Sequence, residues 1–226
     1  MRMIQQYTMD RIPQLSELQE RFPRLRALLF DMDGTLFDTE GFHTRAFLRI
    51  GEEYQIKPPL PLKEIHALLV GKADHLVYDV VKNWEGFPDH WSAEEFVRIK
   101  SNHLLDSLKS LSPDQYFPIA LAALLREARN TGLRLALVTS SEKIITRELL
   151  ELAKLSDIFD LILTRDDCPH HKPHPWPYLR ALETLGVSPE DSVIFEDSAV
   201  GLEAARAAGA HVVKVEWHSN FDINKV

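Results

Sequence analysis

Carboxylates stand in pairs at two places in the chain, Asp31 with Asp33 and Glu196 with Asp197, and each pair follows a short apolar run. Acids crowded at the end of a buried strand are costly unless a cation is held between them. A hard divalent ion with oxygen ligands compensates such a cluster, and Mg²⁺ is the ordinary choice beside a phosphate. The spacing of two predicts that a continuing strand points Asp31 and Asp33 to the same side, and Gly34 then permits a sharp turn. In that setting Asp31 can attack phosphorus while Asp33 acts first as acid and then as base. Thr139 closes another apolar run. Its hydroxyl, with the amides of Ser140 and Ser141 at the start of a helix that Ser141 caps, would seat an anion. Lys172 lies in the loop Pro169-His170-His171-Lys172-Pro173, whose prolines limit its freedom and fix a point charge for the phosphoryl oxygens. A Ca²⁺ loop beginning at Asp31 would need Gly at its sixth place and Glu at its twelfth, where Leu36 and Phe42 stand.

The elements that must carry these groups read as strands and helices in alternation. Strands are expected at Ala27 to Phe30, Leu135 to Val138, Leu161 to Leu163, Val193 to Phe195 and Val212 to Val215. Helices are expected from Ile119 to Asn130, through Ile145, Leu149 and Leu152, from Pro177 to Leu185, and from Ala199 to Ala208 before Gly209. Alternation of this kind predicts an α/β fold with a parallel sheet covered on both faces, and ligands then sit beyond the carboxyl ends of the strands. The spacing breaks once, between Phe30 and Leu135, where helical patterns run from Phe42 to Leu111. The expected organisation is a core of residues 26–38 and 114–226, a helical second domain at 39–113, and an N-terminal extension at 1–25. In that extension Leu15, Leu18 and Phe22 recur at helical spacing.

Composition bounds the partners. The 226 residues carry 34 Asp plus Glu against 26 Lys plus Arg, a formal net charge of −8, with no basic run to meet nucleic-acid phosphates. The single Cys168 makes no internal disulfide, and no apolar run approaches the ~20 residues of a membrane span. The expectation is a soluble cytoplasmic monomer with a small-molecule partner and no nucleic-acid or membrane partner.

Four ordered motifs carry a family resemblance: Phe30-Asp31-Met32-Asp33-Gly34-Thr35-Leu36-Phe37-Asp38-Thr39, Leu137-Val138-Thr139-Ser140-Ser141, Lys172-Pro173, and Phe195-Glu196-Asp197-Ser198 running into Gly201-Leu202-Glu203-Ala204-Ala205. Over residues 26–216 the chain resembles the haloacid dehalogenase superfamily, in its β-phosphoglucomutase-like and phosphoglycolate-phosphatase-like branch. The resemblance implies a Rossmann-like parallel-sheet core with a small helical cap inserted after the first strand. It implies a Mg²⁺-dependent phosphatase of a small phosphorylated metabolite, a sugar phosphate among the candidates, working through an aspartyl-phosphate. Asp31 is then the nucleophile and Asp33 the acid/base. The metal falls to Asp31, Asp197 and the backbone carbonyl of Asp33, with Glu196 at its edge. Thr139 and Lys172 match phosphate-binding positions, and His43 stands near the cap hinge on the substrate side.

Departures from the pattern bear on substrate. The mutases place an Arg three residues after a cap Gly, where this chain has Asp74 after Gly71, a charge that would repel a second phosphate. A phosphatase is therefore expected over a sugar phosphomutase, with Lys72 as a substrate-gripping residue. Lys72-Ala73-Asp74-His75 faintly resembles the Schiff-base segment of phosphonoacetaldehyde hydrolases, but Asp33 is retained here. A non-catalytic binding module is the remaining alternative, against which the intact Asp31 and Asp33 weigh. The loop with Cys168, His170, His171 and His174 is expected to be an ordinary polar loop. Trp84, Phe87 and Trp91 fit either a pocket lining or a cap core.

Overall fold

The structure is a computed structural model describing residues 6–69 and 74–218. Lys72, which the sequence placed at the substrate, and the neighbouring Gly71 lie outside the described residues. The strands are β1 (Gln6–Met9), β2 (Ala27–Phe30), β3 (Arg134–Val138), β4 (Leu161–Leu163), β5 (Ser192–Glu196) and β6 (His211–Val215). They form one sheet in the order β1-β6-β5-β2-β3-β4, with every neighbouring pair parallel. The central strands β2 and β5 are buried at every residue, as a parallel sheet covered on both faces requires.

The described residues divide into two compact units, one of residues 6–38 with 114–218 and one of residues 39–69 with 74–113. The first holds the sheet with α1 (Leu15–Arg21), α6 (Ile119–Asn130), α7 (Lys143–Leu152), α8 (Trp176–Leu185) and α9 (Ala199–Ala207). Its core runs from Leu29, Ala136 and Val138 in the sheet to Tyr178 and Leu182 on α8 and Leu202 and Ala205 on α9. The second is helical, with α2 (Glu40–Tyr54), α3 (Leu62–Leu69), α4 (Asp74–Val81) and α5 (Ala93–Lys109). Phe47, Val77, Val81 and Phe96 pack there with Trp84, Phe87 and Trp91, so the three aromatic residues left open by the sequence are core.

Three expectations change. The sheet has six strands among the described residues rather than five. The strand expected first is the second, because Gln6–Met9 pairs with β6 at the sheet edge. The strand carrying the first motif stops at Phe30, so Asp31 and Asp33 do not share a strand face, and Asp33 lies in a turn closed by a bridge between Asp33 and Phe37. Ser141 does not cap α7, whose cap position is Glu142.

Candidate active site

The sheet order places the functional motifs. From β2 the chain moves to β3 and β4 on one side, then returns to build β5 and β6 on the other, so the winding reverses between β2 and β5. A parallel sheet opens a crevice at such a reversal, at the carboxyl ends of its strands. Asp31 follows β2 there, Glu196 ends β5, and Asp197 follows it. Phe30 and Phe195 are paired in register and their rings stack at 4.6 Å, which sets the two strand ends side by side.

Asp31, Glu196 and Asp197 each offer a carboxylate oxygen, and these oxygens lie within 4.8 Å of one another. Three acids so close are tolerable only with cationic compensation. Lys172 supplies part of it. Its Nζ donates to Asp31 Oδ1 at 2.5 Å, to Glu196 Oε1 at 2.6 Å and to the Val138 carbonyl at 2.9 Å, which uses all three ammonium protons. Burial raises the Asp31 carboxyl well above the usual range; Lys172 pulls it down, and the charges of Glu196 and Asp197 push it up again. Burial alone would lower Lys172, but the charges of Asp31 and Glu196 outweigh it and hold the ammonium protonated.

Two glycines make room for the acids. A Cβ on Gly34, whose φ is +76°, would stand 2.3 Å from Asp197 Oδ2, and one on Gly201 would stand 1.9 Å from Glu196 Oε1. The chain thus leaves space for carboxylates to crowd together, and an all-oxygen donor set of this charge suits Mg²⁺. That fit concerns Asp31, Glu196 and Asp197. The Asp33 carboxylate is engaged elsewhere, because the Ser141 hydroxyl donates to its Oδ2 at 2.6 Å.

The remaining expected residues fall as follows. Thr139 is buried beyond β3 and accepts the Ser141 amide on its hydroxyl at 3.0 Å, so that amide is not an open anion donor. Ser140 is half-buried in the same turn. Through Ser141, Thr139 and Asp33 are tied into one network. His43 sits on α2 of the helical unit, where its Nδ1 lies 2.9 Å from Lys100 Nζ. Lys100 is buried and pairs with Asp74 at 2.5 Å, so the charge expected to repel a second phosphate is neutralised within that unit. His170 and His174 stack at 4.7 Å, and among the described residues neither they nor Cys168 and His171 belong to a metal-binding group. Burial pushes the Cys168 thiol up to about 11.

Sequence reasoning missed Tyr178, Ser198 and Thr35. The fully buried Tyr178 hydroxyl donates to Glu196 Oε1 at 2.6 Å, while the Ser198 amide and hydroxyl both reach Oε2. Thr35 donates its hydroxyl to Asp197 Oδ1 at 2.9 Å. Thr35 and Ser198 lay inside quoted motifs, and their nearness to the acids was the available signal. Nothing local marks Tyr178, one apolar-face residue of a helix.

A sequence model of haloacid dehalogenase-like hydrolases matches residues 28–215. The chain is similar to the fructose-1-phosphate phosphatase YqaB of Escherichia coli strain K12, 32% identical over 86% of this chain and 98% of that protein. It is also similar to a phosphoglycolate phosphatase of Nitrosospira multiformis, 32% identical over 87% of this chain and 85% of that protein. Among solved structures, CbbY of Rhodobacter sphaeroides superposes with a TM-score of 0.73 at 29% identity, covering 84% of this chain and 85% of that one. CbbY has been solved with phosphate and, as a mutant, with xylulose-(1,5)bisphosphate. With the ordered motifs converging on one end of a parallel sheet, these likenesses place the chain in the haloacid dehalogenase-like hydrolases, in the phosphatase branch with a helical insert after the motif-bearing strand.

Proposed function

We propose that the chain is a Mg²⁺-dependent phosphatase of a small phosphorylated metabolite of the sugar-phosphate class, with Asp31 as nucleophile. The observation that carries this is the cluster in which Asp31 is held by Lys172 and lies beside Glu196 and Asp197 at the reversal of the sheet. A relative named for fructose 1-phosphate supports the sugar-phosphate class, and one named for phosphoglycolate supports the wider class of small phosphorylated metabolites.

In the first step an Asp31 oxygen bonds to phosphorus as the bond to the leaving oxygen breaks, and Asp33 gives its proton to that oxygen. In the second, Asp33 takes a proton from water as the water oxygen attacks phosphorus, and the Asp31 bond breaks to release inorganic phosphate. Lys172 favours the ionised form of Asp31 against its burial. Ser141 orients Asp33 from the side of Thr139, whose hydroxyl would serve the phosphoryl oxygens, while Lys172, with its three protons on Asp31, Glu196 and Val138, would act on them through its charge. Asp31, Asp197 and the Asp33 backbone carbonyl would hold Mg²⁺, with Glu196 at its edge, and the ion when bound supplies charge compensation to the transferring phosphoryl group.

The test is a panel of phosphomonoesters including fructose 1-phosphate and phosphoglycolate, assayed with Mg²⁺ and with chelator. Release of inorganic phosphate only with Mg²⁺ is expected, and Asp31→Asn is expected to abolish it. Full turnover in Asp31→Asn defeats nucleophilic attack by Asp31. An isomerised product without phosphate release marks a mutase instead, and no turnover across the panel returns the chain to the class of binding modules.

A further inference from the structure

Thr35 is a buried residue in the turn that follows the nucleophile, and its hydroxyl orients Asp197. Within the turn its own amide makes only a long bond, 3.4 Å, to the Met32 carbonyl. Its carbonyl is held from outside. Trp217 Nε1 donates to the Thr35 carbonyl oxygen at 3.0 Å, and His218 Nε2 reaches the same oxygen at 2.8 Å. A carbonyl oxygen has two lone pairs, and these two donors use both. With a carbonyl as partner, His218 must carry its proton on Nε2. Burial lowers the His218 pKa, against the opposing pull of the Thr35 carbonyl and the Asp38 charge.

Both donors come from the segment directly after β6, two strands away from the turn they hold. The Trp217 ring also packs on Phe195 at 5.7 Å, and Phe195 stacks on Phe30. One segment therefore touches the turn after β2 and the residue that precedes Glu196 and Asp197 on β5. Gly34, at φ +76°, sits next to Thr35 and does not stiffen the turn itself.

We propose that Trp217 and His218 are positioning residues for the metal site: by clamping the Thr35 carbonyl they fix the Thr35 hydroxyl on Asp197. The proposal rests on the Mg²⁺-dependent phosphatase function. Groups that orient a ligand are worth about 10- to 100-fold in metal affinity. A covering role alone would need the two rings and not their N–H groups, which separates the two accounts.

The experiment uses the full chain. Trp217→Phe and His218→Phe keep an aromatic side chain at each place and delete the donors, while His218→Gln keeps a donor near the place of Nε2. Mg²⁺ binding by calorimetry, metal-free melting temperature, and kcat and KM at saturating Mg²⁺ are measured for each. The double Phe variant is expected to lose about tenfold in Mg²⁺ affinity, with an unchanged KM for the phosphomonoester and a metal-free melting temperature lowered by the buried carbonyl left without donors. His218→Gln is expected to keep most of the affinity that His218→Phe loses. Mg²⁺ affinity unchanged in the double variant overturns the clamp, as does a loss that Gln does not restore. If the double variant does not fold, the His218→Phe and His218→Gln pair decides by the same measurements. Wild-type protein that neither binds Mg²⁺ nor releases phosphate defeats the phosphatase function itself, a failure distinct from equal affinity in wild type and variant.

Discussion

Glu196 shows how finely one residue is set. It is fully buried and accepts four hydrogen bonds, from Lys172 and Tyr178 on Oε1 and from the Ser198 amide and hydroxyl on Oε2. A buried carboxylate with both oxygens satisfied cannot swing aside cheaply. Gly201→Ala would put a methyl group within 1.9 to 2.2 Å of that carboxylate, so either Glu196 or α9 must move. The expected result is a loss of about 1–3 kcal/mol of stability by overpacking. Displacing Lys172 should also lower kcat by about a hundredfold, the scale of an ångström misplacement at a reacting centre. Denaturant unfolding and steady-state kinetics on the same preparation check both. At this scale Asp31 and Asp197 were conspicuous as acids beyond strand ends, and Lys172 as a lysine in a proline-bounded loop. Tyr178 was not, because a buried tyrosine on a helix looks like core until its hydroxyl is seen to meet Glu196.

Among the elements, the helices and the inner strands follow from apolar periodicity, and α6 begins and ends where the spacing predicts. The edge strand β1 escaped because Gln6-Tyr7-Thr8-Met9 has no apolar run; its residues alternate between exposed and half-buried, as suits an edge. The α1 helix that follows it was readable from Leu15, Leu18 and Phe22, and all three are buried. These residues belong with the sheet unit, where α1 packs near α6. Leu18→Ala is therefore expected to cost about 2–5 kcal/mol, the range for emptying a fully buried leucine site. A shift in the denaturation midpoint with unchanged slope measures it, and a change under half a kcal/mol would show that α1 is peripheral. Asp31 and Asp33 teach a related lesson. A period of two is meaningful only while the strand lasts, and this strand ends at Phe30.

For the molecule as a whole, net charge is a weak guide. The −8 charge argues against a partner such as duplex nucleic acid, yet it says nothing of the local balance in which Lys172 stands among Asp31 and Glu196. If the acids gather around a divalent ion in the folded state alone, the ion stabilises folding by mass action, by about 2.7 kcal/mol at a hundredfold excess over its dissociation constant. The melting temperature should rise with Mg²⁺, fall back with chelator, and respond far less in Asp197→Asn. No described helix is long and apolar enough to cross a membrane.

The sequence by itself determined the class of chemistry, the alternating α/β architecture and the helical insertion, because residue type and apolar period are local properties of a chain. Only the tertiary structure decided which groups serve which others. Lys172 meets Asp31 across 141 positions of sequence, Ser141 meets Asp33 across 108, and Trp217 and His218 reach Thr35 across 182 and 183. Such partners are chosen by the order of strands in the sheet, and strand order is a property of how distant segments pack rather than of any segment alone.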